Sequence, residues 1–474
     1  MKTPRHSIRD TLEDALLESE QDMLQLDEQT EEIESDNVKE KASFRKRLKD
    51  RTWRNPLFRS NPLNSAILKS LFEVRLDKTI FGVALALTLL GLIMVASSSI
   101  GFAEYRYGDS LYHTKRHLMY LAMGIIFASV VFMVPMKIWE KYSGFLLILG
   151  FVLLALVLVP GVGSKVNGAQ RWIRIAGFTL QSTEIAKFCL VMYLAGYLVR
   201  RQHELVATWR GFLKPMLVLS VFCFLVYMEP DFGALVVLAS TCLGMMFLAG
   251  LGIRQLIVFG VGSGSLMTIM ILSSTYRKAR VDAFIDSLSE PFADQFGRGY
   301  QLAQSLIAIG RGEWFGVGLG NSVQKLFYLP EAHTDFVFAI MAEELGLIGV
   351  LVVISLFMVL IGRSLYVGKR AELAGHHFAA NVIYGFSLII AAQTFINIGV
   401  NCGLLPTKGL TLPFLSYGGS SLIICCVFVA VILRANYEVI GSTPRLNKKH
   451  QILKQQKPRR QNSVNAKGFK EVAC

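Results

Sequence analysis

Four carboxylates fall at even spacing in one polar stretch: Asp282, Asp286, Glu290 and Asp294. The stretch spans residues 274–334, between two apolar runs, and its end carries Glu331, His333 and, just beyond, Asp335. A period of four would set the acids on one helical stripe. Pro291 interrupts that stripe, and like charges four apart repel. The expected form is a short amphipathic helix ending before Pro291, with Asp294 in the connection beyond it. A single exposed carboxylate there suits two tasks. It can act as base for a hydroxyl nucleophile, or hold a divalent ion such as Mg²⁺ or Mn²⁺ beside a phosphate.

Other polar residues sit where an apolar environment should reject them. A charge at bilayer depth costs about 3 kcal/mol or more unless it faces the protein interior or water. Glu184 and Lys187 open an apolar run in QSTEIAK, three apart and so able to pair on one face. Arg171 and Arg174 precede them; Lys115 and Arg116 precede another run. Glu229 and Asp231 flank Pro230 in a tight turn, Glu343 and Glu344 enter a further run, and Asn381, Gln393 and Asn397 lie along the next. Each also has a purely structural reading: an ion pair capping a helix, a turn, or polar contacts that join helices. Glycine and proline cluster in GRGEWFGVGLGNS (310–322) and around Pro406, Pro413, Gly418 and Gly419. The second cluster predicts an irregular segment lining a polar cavity, with Lys408 projecting into it. The histidines are scattered and show no HExxH spacing, which argues against a catalytic zinc site. No GxxxxGK[ST] motif is present, so no nucleotide is expected.

These residues need elements to position them, and composition says which. The chain is 53% hydrophobic and 18% charged, far from the balance of a soluble domain. Apolar runs long enough to cross a bilayer recur throughout. Ten spans are expected, near 79–98, 118–135, 143–160, 184–199, 213–228, 234–250, 255–273, 336–361, 378–398 and 418–434. The predicted architecture is an all-α polytopic membrane domain over residues 76–437, with 274–334 as its large extracytoplasmic loop between spans 7 and 8. Residues 1–75 form an acidic-then-basic tail expected to be largely disordered, and 438–474 a basic flexible tail. Basic residues flanking alternate spans place both tails in the cytoplasm. They also account for the net charge of +14 without nucleic acid. The polar first 75 residues predict no cleaved signal peptide. Seven cysteines, most in apolar runs, predict no disulfide framework.

Two long strings are more specific. The run from Gly297 to Gly346, GRGYQLAQ…LPEAHTDF…AEELG, and LPTKGLTLPFLSYGGSS from Leu405 to Ser421 resemble the SEDS family of shape, elongation, division and sporulation proteins. The resemblance covers about residues 75–437 and points to the division branch. It implies a ten-span fold and a peptidoglycan glycosyltransferase that polymerises lipid II at the septum and releases undecaprenyl pyrophosphate. It also implies partners: a cognate class B penicillin-binding transpeptidase, the FtsQ–FtsL–FtsB subcomplex and FtsN. The enzyme would reside in the inner membrane.

The family's essential acid lies in a D-P-x-G-x-G-Y-Q motif. Counting back from Gly299-Tyr300-Gln301 implies Asp294, although Gln295 replaces the proline. An apparent four-residue insertion leaves Glu290-Pro291 as the competing register. Gln181-Ser182-Thr183-Glu184 lacks the family's proline, while Lys187 matches its lysine. Glu229-Pro230-Asp231 stands where the family has Gln-Pro-Asp. The resemblance implies Asp294 as catalytic residue. Arg116, Arg171, Lys187, Lys408, Glu184, His333 and Asp335 are the candidate substrate- or pyrophosphate-binding groups, the first three at family positions, with a divalent cation at Asp294 as an option. A lipid II flippase or a non-catalytic scaffold would present many of the same residues, but needs no acid in an external loop.

Overall fold

The computed structural model describes residues 76–442 except 167–168, 176–177, 274–277, 280, 283 and 286–298. The chain divides into two units, Met1–Val74 and Arg75–Cys474, and the described residues belong to the second. Residues 1–75 and 443–474 lie outside the described residues.

Apolar sequence dictates helices, because a segment in hydrocarbon must satisfy its own backbone N–H and C=O groups. Eight described helices are long and apolar enough to cross a membrane. They are α1 (Lys78–Tyr107), α2 (Tyr112–Met133), α5 (Ser182–Arg200), α7 (Trp209–Met228), α9 (Ile253–Leu272), α11 (Val337–Leu373), α12 (His377–Asn401) and α13 (Gly419–Ser442). Two shorter apolar helices, α4 (Ser143–Leu158) and α8 (Phe232–Leu248), coincide with the remaining expected spans. Short α3 (Met136–Lys141) and α6 (Gln202–Ala207) link neighbours, and α10 (Tyr300–Arg311) lies in the long loop. The protein is thus an all-α polytopic membrane protein in its apolar part.

One element departs from the expectation. Between α4 and α5 the chain forms a three-stranded antiparallel meander of β1 (Gly163–Val166), β2 (Ala169–Ile175) and β3 (Phe178–Gln181). Trp172 pairs with Gln181 and Arg174 with Thr179. Strands of four and seven residues carry too little alternation to stand out beside apolar twenty-mers. The meander matters because β3 runs directly into α5.

Helix α5 is the most enclosed of the eight long helices. Phe188 on α5 stacks on Phe386 of α12, which stacks on Phe428 of α13, at centroid distances of 5.5 and 4.5 Å. Offset aromatic stacking supplies cohesion that apolar area alone does not give in lipid. At the other extreme, α9 buries almost none of its surface in the rest of the chain. Acids cap two of the helix starts. Asp77 accepts from Thr79 N and Ile80 N at 3.1 and 3.2 Å and pairs with Arg363 of α11 at 2.9 Å. Asp231 accepts from Ala234 N at 3.1 Å.

Helix α11 breaks at Gly346, where φ is +68° and ψ is −170°. Only glycine adopts that backbone cheaply. The break releases backbone groups that the 312–318 segment then satisfies. Val317 N and Gly318 N donate to the carbonyls of Glu343 and Glu344, and Leu347 N donates to Glu313 O.

Candidate active site

The start of α5, the turn between α7 and α8, β2, and the start of α13 meet at one end of the bundle. Ser182 Oγ donates to Glu229 Oε2 at 2.8 Å, and Gln181 Nε2 donates to Asp231 Oδ2 at 3.0 Å. Thr183 Oγ1 also reaches Asp231, at 3.3 Å. Arg171, projecting from β2, lies 3.5 Å from the Asp231 carboxylate. Gln181 N donates to Ser420 Oγ at 3.2 Å, tying the meander to α13. One turn into α5, Lys187 and Glu184 pair at 2.7 Å, both buried. The Glu229-Pro230-Asp231 turn is therefore the hub of a buried polar network.

Within it Glu229 is unusual. Its side chain is buried, and Oε1 has no hydrogen-bond partner among the described residues. Burial pushes its carboxyl up to about 8, and neighbouring Asp231 adds to the rise against the opposing Ser182 hydrogen bond. Glu229 is consequently a neutral acid near pH 7.

The segment 402–418 between α12 and α13 is irregular, as Pro406, Pro413 and the glycines dictate. Asn397 holds it from α12, donating to Leu410 O at 2.6 Å and to Asp335 O at 2.9 Å. Asn401 donates to Asp335 O at 3.2 Å and accepts from Ala339 N at 3.2 Å. The asparagines thus fasten the start of α11 to the irregular segment. A Cβ at Gly409 would come within 3.1 Å of the Asp335 carboxylate, so Asp335 faces this segment directly. Lys408 places its ammonium 5.3 Å from the Phe232 ring at the head of α8, a cation–π distance. Phe414 packs so tightly on α1 that any side chain at Gly91 would collide with its carbonyl.

His333 lies in a ring cluster with two histidines that no sequence motif marks. The His113–His333 centroids are 4.8 Å apart, and Tyr417 contacts both rings at 4.8 and 5.8 Å. His117 meets the same tyrosine at 6.1 Å. Tyr417 N donates to His333 O at 2.9 Å, joining the segment before α11 to the one before α13. Burial pushes the His333 imidazole down to about 4, so it is uncharged at neutral pH. Arg116 borders the cluster, with Nη1 3.0 Å from Tyr112 Oη. The His113–His117 spacing of four on α2 is the signal that the sequence offers for this cluster.

Glu343 and Glu344 are fully enclosed. Glu343 accepts from Arg311 Nη1 at 3.0 Å, Val323 N at 3.1 Å and the Ser322 hydroxyl. Glu344 accepts from Lys325 Nζ at 2.8 Å and from Ser97 on α1 at 2.7 Å. These acids hold the loop against α11 and α1 and are otherwise surrounded by protein.

Residues 77–440 match a single family description, FtsW/RodA/SpoVE, cell cycle protein. The chain belongs to this family. Among FtsW/RodA/SpoVE relatives, the protein named "Probable peptidoglycan glycosyltransferase FtsW" of Hahella chejuensis is 52% identical over 376 residues, covering 79% of this chain and 93% of its own. That of Pseudomonas fluorescens is 50% identical over 365 residues, covering 77% and 89%. Among solved structures, a chain from a peptidoglycan synthase complex that coordinates polymerization and crosslinking superposes with TM-score 0.63 at 25% identity, covering 77% of this chain and 98% of that one. RodA of Thermus thermophilus shares the fold, with TM-score 0.56 at 24% identity over 76% of this chain and 96% of that one.

Measured against the family expectations, the structure gathers Arg171, Glu184, Lys187, Lys408 and Asp335 around the α5, α8, α12 and α13 ends. Arg116 and His333 sit in the neighbouring aromatic cluster. Asp294, its rival Glu290, and the stretch where an amphipathic helix is expected to end lie outside the described residues. Among the described residues, no group of three or more His, Cys, Asp or Glu is arranged to hold a metal ion.

Proposed function

We propose that this protein is a peptidoglycan glycosyltransferase that polymerises lipid II at the division septum. The observation that carries the reading is its match to FtsW relatives at about half identity over nearly their whole length. The buried polar network supports it, because a scaffold would gain little from enclosing so many charges at one end of the bundle.

All ten apolar helices cross the inner membrane, both tails are cytoplasmic, and the α9–α11 connection faces outward. Asp294 orients and deprotonates the acceptor's 4-hydroxyl, which attacks the anomeric carbon of the donor chain. The bond to the lipid pyrophosphate breaks as the glycosidic bond forms, with inversion and no covalent intermediate. The departing pyrophosphate needs positive charge. Arg171 and Lys408, at the rim of the polar network, meet it with Arg116 from the neighbouring cluster. Lys187 is enclosed with Glu184, so its contribution runs through the shape and field of that pair. Asp335 and His333 set the irregular segment that carries Lys408. A divalent cation at Asp294 would assist by neutralising pyrophosphate charge; no step above depends on it.

The synthase complex with TM-score 0.63 supports a transpeptidase partner for this chain. FtsQ–FtsL–FtsB and FtsN are proposed as further partners on the family resemblance.

The test is polymerisation of labelled lipid II by the purified protein, alone and with its cognate transpeptidase. The wild type should give long glycan strands and D294N none, while E290Q retains them. Loss only in E290Q would move the acid across the insertion. No strands from wild type under any of these conditions would overturn the enzymatic reading.

A further inference from the structure

The segment between α10 and α11 has an inside and an outside that differ sharply. Several of its polar groups turn inward, while Glu313 and Asn321 stay exposed. Lys325 Nζ is buried against Glu344 and Ser97, and Ser322 and the Val323 and Gln324 amides point at Glu343. Its large apolar side chains turn outward. Trp314 is 64% exposed and Phe315 81%, and Leu319, Leu326, Phe327 and Tyr328 are each more than half exposed. A loop bathed in water would show the reverse arrangement.

The outward surface does not stand alone. Leu326 packs 3.6 Å from where a Cβ on Gly101 of α1 would lie, and Phe327 contacts Tyr105 and Phe102 of α1 at centroid distances of 5.3 and 6.4 Å. On the other flank, Trp314 O accepts from Ile348 N of α11 at 3.2 Å. Ile93 and Ile100 of α1, and Ile348 and Leu351 of α11, are themselves exposed along two candidate membrane spans. The aromatic surface therefore adjoins the exposed apolar flanks of α1 and α11. Phe327 reaches it from a left-handed backbone, φ +68°, which a non-glycine residue holds only when its surroundings fix it.

We propose that residues 313–328 form an interfacial membrane anchor, with Trp314, Phe315, Leu326, Phe327 and Tyr328 seated at the boundary between headgroups and acyl chains. Trp and Tyr favour that depth, where an apolar ring meets lipid and a polar edge meets water, and Phe adds apolar area beside them. The lipid surface is the occupant because the patch adjoins the lipid-facing flanks of α1 and α11 and has withdrawn its lysine into an ion pair. The anchor is independent of which acid performs the chemistry.

The test uses the full-length protein in vesicles of phosphatidylcholine. Trp53, Trp139, Trp172 and Trp209 are replaced by Phe, leaving Trp314 as sole reporter. Phosphatidylcholines brominated near the glycerol end or near the chain terminus serve as depth quenchers, and iodide as the aqueous quencher. The anchor predicts strong quenching by the shallow bromolipid, weak quenching by the deep one, and little by iodide. A second reporter, F327W in a chain with all five tryptophans replaced by Phe, should behave alike. Full iodide quenching with no bromolipid effect would overturn the proposal, as the loop would then stand in water. Protection from both quenchers would also overturn it, showing burial against a second copy. Should the multiple replacements fail to fold, the difference in bromolipid quenching between wild type and W314F separates the same outcomes.

Discussion

Lys187 Nζ lies 2.7 Å from Glu184 Oε1, with the ammonium fully enclosed by the bundle. A pair so deeply buried is worth little against an apolar substitute, but losing one partner leaves the other charge uncompensated. Lys187→Met or Glu184→Leu alone should therefore cost about 3–5 kcal/mol of stability. The double variant should recover much of that loss. Thermal unfolding in detergent, with all three variants beside wild type, checks this. If the double variant regains fold but not polymerisation, the pair has a catalytic duty beyond packing.

Asp231 caps α8, accepts from Gln181 and Thr183, and lies 3.5 Å from Arg171 as an ion pair. Asp231→Ala removes the cap, at about 0.5–2 kcal/mol, and frees Arg171 on β2. Asp231→Asn can keep the cap through Oδ1 but sets an NH2 where Oδ2 accepts from Gln181, so it loses the charge and that hydrogen bond. We expect Ala to lower both stability and glycan synthesis, and Asn to lower synthesis with a smaller change in unfolding temperature. Equal stability of the two variants would contradict this account of the turn.

Glu229 behaves as a neutral side chain, and this gives a pH signature. Its carboxyl is raised from its ordinary 4.5 to about 8 in the fold. Between those values the folded state holds a proton that the unfolded chain releases, so stability falls as pH rises through the window. The slope is about 1.4 kcal/mol per pH unit at most. Below about 4.5 this contribution is fully present. Glu229→Gln mimics the neutral acid, keeps an acceptor for Ser182, and restores the glutamine of the family pattern. It should retain synthesis and flatten the alkaline decline in unfolding temperature. An unchanged pH profile would exclude Glu229 as the titrating group.

Lys325 and Glu344 join the long loop to α11 and α1. The ammonium is nearly enclosed and the carboxylate fully so, which makes each a buried charge without the other. Lys325→Met should destabilise by about 3 kcal/mol, and Ser97→Ala by about 1.5–3 kcal/mol, since the Ser97 hydroxyl donates to the Glu344 carboxylate and accepts from Lys325. Hydrogen exchange should localise the loosening to residues 312–328 rather than to α5. Exchange spread evenly over the bundle would show that the contact is not local.

The apolar helices, the irregular segment around Pro406 and Pro413, and the pairing of Glu184 with Lys187 were legible in the sequence. The reason is local in each case. Twenty apolar residues in lipid leave the backbone no alternative to helix, proline ends helices by removing a donor, and a spacing of three puts two charges on one face. The family, too, could be read from two uninterrupted strings.

Tertiary structure alone decided which polar residues meet. Ser182 and Glu229 are 47 positions apart, Ser97 and Glu344 are 247 apart, and no periodicity links them. It also decided that Glu343 and Glu344 serve as fasteners for a loop, and that His113 and His117 join His333 around Tyr417. The β-meander escaped because its strands are short and half of its pattern is supplied by partners across the turn. Each of these depends on the enclosure of a charge or the completion of a hydrogen bond. Enclosure is a property of the packed bundle, and a one-dimensional pattern records only the residues that can undergo it.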